Sequence, residues 1–148
     1  MPNYTGISEI IENIADTSIL GYTAKYDDTL LDGVSTAQLP YRFISHRGAG
    51  MNASRYERTT LSGRAFTAAW RVPDIILLRP VSAGIGISSI AFDVYNYMGE
   101  YAALIRDIAS QHYVVDDVEI SSGLVEWPDG SEQYYDAVVC TVTVVENN

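Results

Sequence analysis

The stretch from Arg64 to Pro80 constrains the fold most. Phe66, Ala68, Trp70 and Val72 recur at every second position, and Ile75 to Leu78 follow as an uninterrupted apolar run. A period of two marks a strand with one buried face, and a continuous apolar run bounded by turn signals marks one buried on both faces. Such a segment needs hydrogen-bonded neighbours on its edges and packed layers on its faces, so it is expected to be the central strand of a sheet. Pro73 lacks the N–H that a ladder requires and predicts a bulge or an edge at that point.

The rest of the chain supplies the other layers. Ile7, Ile10, Ile11 and Ile14 fall at helical spacing, with Thr5 or Ser8 as the N-cap. Residues 16–40 read as irregular, pinned by their tyrosines, and YRFISH at 41–46 reads as a short strand. RGAGMNASRYERTTLSG has no apolar period and reads as an exposed loop or a long hairpin tip. A glycine turn, VSAGIGISS, opens a helix over 89–109 whose buried stripe is Ile90, Val94, Tyr97, Met98, Tyr101, Ile105 and Ile108. Strands are expected over 113–121, 124–127 and 134–145, with a Pro128-Asp129-Gly130 turn before the last. The resulting class is α+β: a mixed, mostly antiparallel sheet with two helices packed on it, in the order α-β-β-α-β-β. At 148 residues, 47% of them hydrophobic, the chain is expected to be one domain (1–148) with a single core.

Charge is distributed unevenly. Arg42, Arg47, Arg55, Arg58, Arg64, Arg71 and Arg79 stand in residues 41–80 against only Glu57 and Asp74, whereas the remainder is strongly acidic and the net charge is −10. Arginine is favoured over lysine where a planar, multi-donor contact to carboxylate or phosphate is made. Asp93, Glu100 and Asp107 recur every seven residues along the second helix, on a different face from its apolar stripe. The central positive segment is expected to dock on something acidic.

Signs of catalysis are weak. His46 and His112 stand alone without metal-ligand spacing, and GxSxG is absent. Ser88, Ser89, Ser121 and Ser122 are expected at turns as capping residues, and Cys140 as a buried, inert thiol suited to a reducing compartment. Adjacent acids at Asp27-Asp28 and Asp116-Asp117 offer at most one carboxylate each to a common face, and AGIG at 83–86 lacks the lysine of a phosphate-binding loop. No cofactor, metal or reaction is expected. No stretch reaches the roughly 18 apolar residues of a membrane helix, and MPNYTGISEI lacks the pattern of a signal peptide. The arginine-rich segment with Tyr56 could contact nucleic acid, but the acidic balance elsewhere repels a polyanion.

WRVPDIILLRPVSAGIG followed by AFDVYNYMGEYAALI resembles the tail-terminator, or tail-completion, proteins of long-tailed bacteriophages. The resemblance runs through residues 7–145 in element order and rests mainly on Trp70 to Gly86. It implies a structural virion protein at the tail–neck junction, assembled in the bacterial cytoplasm. Its partners would be further copies of itself in a ring, usually a hexamer, together with the tail tube and the neck, with passive contact to DNA in the lumen. On this reading Arg47, Arg55, Arg58 and Arg64 dock on a neighbour, with Asp93, Glu100 and Asp107 as their acidic counterpart. The alternatives are a head–tail connector, a small nucleic-acid-contacting module, and an enzyme using Asp116 or Asp117 with a metal, Mg²⁺ or Mn²⁺.

Overall fold

The computed structural model describes residues 6–24, 39–44, 52–60, 63–81, 91–108, 113–127 and 130–147, and of 6–8, 52–60, 63–68, 91–93 and 146–147 the backbone alone. The elements run α1 (Gly6–Asp16), β1 (Tyr41–Ile44), β2 (Asn52–Thr60), β3 (Gly63–Pro80), α2 (Ala91–Arg106), β4 (Val114–Glu126) and β5 (Tyr134–Asn147). All pairings are antiparallel, in the order β1-β3-β5-β4, with β2 also on β3. The fold is therefore the α+β class expected, two helices on an antiparallel sheet. The segment read as a loop or hairpin tip contributes a strand of its own, β2.

The 18-residue β3 is the central strand. One edge pairs with β5 over Thr67–Pro80, and the other is shared in tandem, β2 lying along Gly63–Arg71 and β1 along Asp74–Leu77. That arrangement explains Pro73: the expected bulge does not occur, and among the described residues the side of β3 shared by β1 and β2 is open at this position, a local edge. Pro73 keeps regular register with Thr141, and β2 ends at Arg71 while β1 begins at Asp74. The proline thus occupies the junction between two neighbours, where a missing ladder donor costs least.

Alternation sorts the sheet into two faces. Val72 and Ile76 of β3 and Val138, Cys140, Val142 and Val144 of β5 join Ile10 and Ile14 of α1 and Val94, Tyr97, Tyr101 and Ile105 of α2 in the main core. Met98 and Ile108 pack at its border, so the stripe expected of α2 holds wherever its side chains are described. The opposite face carries a smaller cluster, Phe43, Ile75, Leu77, Tyr135 and Ala137, with the Phe43 and Trp127 rings 4.6 Å apart. Burial on both faces at Ile75–Leu77 is what the continuous apolar run requires.

Two local expectations are corrected. Ser8 lies inside α1 and is not its cap, and Thr5 lies outside the described residues. Ser121 and Ser122 are not at a turn: β4 runs unbroken through Ser122 and Gly123, which pair with Val138 and Ala137. A glycine after two serines reads as punctuation in sequence, but an edge strand tolerates small polar residues as long as its inner ladder stays in register.

Candidate docking surfaces

The fate of the seven arginines of residues 41–80 decides where positive charge is available. Arg42 is not a surface residue, as it is only 2% exposed and grips Asp74, itself 1% exposed. Its Nε donates to both carboxylate oxygens at 3.0 and 3.1 Å and its Nη2 to Oδ2 at 2.6 Å. The remaining guanidinium hydrogens go to backbone carbonyls: Nη2 to Ile14 at 2.9 Å, Nη1 to Thr17 at 2.6 Å and to Tyr22 at 2.8 Å. The Tyr101 hydroxyl adds a 2.8 Å hydrogen bond to Asp74 Oδ2. Burial opposes the charge on Arg42, but the hydrogen bonds and charge of Asp74 outweigh it and hold the guanidinium pKa above its ordinary value. Burial, reinforced by the Asp74 charge, pushes the Tyr101 hydroxyl well up, so it remains a donor.

This network is structural. A helix leaves its last four carbonyls without intrahelical partners. In α1 the Asn13 carbonyl is taken by Thr17 and that of Ala15 by the Ala24 N–H, while Arg42 takes that of Ile14. No basic residue stands in the last turn of α1, so Arg42 places the positive charge that the helix end favours. The clue in the sequence was Asp74: a carboxylate inside an apolar strand must be paired.

Arg79 is paired with Asp136 at 3.0 Å, half-sheltered, and Arg71 with Glu119 at 3.1 Å in the open. Three of the seven arginines are thus satisfied within the chain. Arg55 and Arg58 lie on β2 and Arg64 on β3, in the ribbon where β2 and β3 pair from Asn52↔Arg71 to Thr60↔Gly63. The side chains of these three, and all of Arg47, lie outside the described residues. Register alone places them: positions 55 and 58, three apart, belong to opposite faces of the ribbon, and position 64, opposite Thr59, shares the face of 55. The four end pairs, from Glu57↔Phe66 outward, lie beyond Thr67, where pairing with β5 stops.

Two acidic surfaces are available. Of the expected acidic face, Glu100 is exposed on α2, Asp107 is exposed but lies one residue past the end of the helix, and the side chain of Asp93 lies outside the described residues. The second was not singled out as a docking surface in the sequence. On β4, Asp116, Asp117 and Glu119 are all exposed, and neither Asp116 nor Asp117 has an ion-pair partner among the described residues. A register shift between Val115 and Asp117 places Asp116 at a bulge. Among the described residues no three His, Cys, Asp or Glu side chains converge on a point where a metal could sit. His46, His112, the Asp27-Asp28 pair and the AGIG turn lie outside them. Cys140 is buried, as expected, and burial pushes its thiol pKa up. No described helix is long and apolar enough to cross a membrane. No family model matches the chain, and no curated protein matches it significantly.

Proposed function

We propose that this chain is a structural virion protein, a subunit of a ring, closed by six copies in the manner its resemblance to tail terminators implies, that caps the tail tube of a long-tailed bacteriophage and joins it to the neck. The observation that carries the reading is the separation of charge on one subunit: Arg55, Arg58 and Arg64 stand on the β2–β3 ribbon, while exposed carboxylates stand on β4 and at Glu100 and Asp107, on and just past α2. A cyclic ring is built from heterologous contacts, in which one patch meets a different patch on the next copy, and spatially separate patches of opposite sign suit that geometry. Tail-tube and neck proteins would meet the two faces of the ring.

Native mass spectrometry of the purified chain tests the proposal. A closed ring is expected, and the triple variant Arg55→Glu, Arg58→Glu, Arg64→Glu should remain monomeric with an unchanged circular dichroism spectrum. A wild-type monomer whose retention on DNA falls steeply with salt would overturn the ring and favour the nucleic-acid module.

A further inference from the structure

Resting on the ring reading, we infer that subunits join edge to edge, the outer edge of β2 in one copy pairing antiparallel with the outer edge of β4 in the next. Both strands are sheet edges: among the described residues nothing pairs with the side of β4 away from β5, or with the side of β2 away from β3. Free edges of this length are a liability that proteins blunt with charge, prolines, bulges or a covering element. β4 is blunted over only half its length. Its first part carries the bulge together with Asp116, Asp117 and Glu119, whereas Ile120 to Val125 is uncharged, in regular register with β5, and includes Gly123 and a Leu124 that is 65% exposed. An edge left open there calls for a strand to cover it.

Charge selects β2 as that strand. β4 holds Asp116, Asp117, Glu119 and Glu126 and no base, whereas β2 holds Arg55 and Arg58 against Glu57. Positions 55 and 58 lie on opposite faces of the ribbon, so the surface they share is the β2 edge and not either face. A strand lying along that edge would meet both.

Strand direction agrees. β2 and β5 both run opposite to β3, and β4 runs opposite to β5. A second copy set head to tail, with its helices on the same side, therefore brings its β2 antiparallel to β4. The contact is heterologous, as a ring requires. The acids on β4, not those on α2, are then the counterpart of the arginines.

The test compares charge reversals in the full-length chain by native mass spectrometry, with circular dichroism to confirm folding. Asp116→Arg with Asp117→Arg should raise the concentration needed for assembly by at least about tenfold, because like charges are then juxtaposed. Adding Arg55→Glu and Arg58→Glu to that variant should restore assembly, and Glu100→Arg with Asp107→Arg should leave it unchanged. Since adjacent residues of an edge strand turn their N–H groups to opposite sides, one of Ser121→Pro and Ser122→Pro should block assembly while leaving the monomer ladder intact. A ring that survives the β4 reversals and dissociates on the α2 reversals overturns the edge contact and leaves the ring standing. A dimer abolished by the β4 changes but indifferent to those on β2 would mean β4–β4 pairing and would overturn both, as would a wild-type monomer.

Discussion

Replacing Asp74 tests whether Arg42 serves as one half of an ion pair or as the hub of a network. In Asp74→Asn the side chain still offers one acceptor, but the guanidinium, bound at 2.6 Å to Oδ2 in the wild type, becomes a buried charge without a counter-ion. Breaking a buried pair from one side costs about 3–5 kcal/mol. For a chain of this size that lowers Tm by roughly 10 °C, at about 2–4 °C per kcal/mol. The informative comparison is the double variant Arg42→Met, Asp74→Leu, which removes both charges. If the pair were all that mattered, apolar replacement would be neutral or stabilising.

The geometry predicts otherwise, since the carbonyls of Ile14 and Thr17 lose the donor that Arg42 gives them and the Tyr101 hydroxyl loses its acceptor, whereas the Tyr22 carbonyl keeps the Ile19 N–H. At about 1 kcal/mol for each orphaned group, a deficit of about 3 kcal/mol should persist. Urea denaturation followed by circular dichroism measures both variants. A double variant as stable as wild type would refute the network.

Further outcomes follow from single contacts. Tyr101→Phe removes the hydroxyl donated to Asp74 at 2.8 Å and should cost about 1.5–3 kcal/mol in urea unfolding, as befits a hydrogen bond to a charged group. Glu119→Gln breaks a pair whose side chains are 48% and 67% exposed and should change stability by less than about 0.5 kcal/mol in the same assay. Cys140, buried with its thiol pKa pushed up, should resist alkylation in the folded protein even as pH is raised toward 9, and react only on unfolding. Gly21→Ala places a side chain at φ 87°, where nothing crowds the added carbon, so its cost of about 1 kcal/mol in thermal unfolding is purely conformational.

The central strand and α2 were legible because each has a dominant period. Ile75 to Leu77 could be buried on two faces only inside a sheet, and Val94, Tyr97, Tyr101 and Ile105 could share a face only on a helix. β2 was not legible, because NASRYERTT has no apolar alternation. Its strand conformation follows from pairing with the exposed length of β3, a tertiary cause that local pattern cannot carry. The break assigned near Gly123 fails for the same reason, since β5 imposes a ladder on β4 from Tyr134 to Val145 whatever the punctuation of β4 itself.

Charge was legible in amount but not in place. A count along the chain gives Arg42, Arg71 and Arg79 the same weight as Arg55 and Arg58, yet the first three are matched by Asp74, Glu119 and Asp136. Two of those partners lie outside the positive segment, on strands that reach it only through the sheet. The set that the proposed ring would use is smaller, Arg55, Arg58 and Arg64 on the β2–β3 ribbon. Pairing also reduces the acidic side: Glu119 is already engaged, which leaves Asp116 and Asp117, with Glu126 at the far end, as the carboxylates of β4 without an ion-pair partner among the described residues. The same sheet that hides some charges therefore concentrates the others at its two edges, and it is the edges, more than the total, that a partner would read.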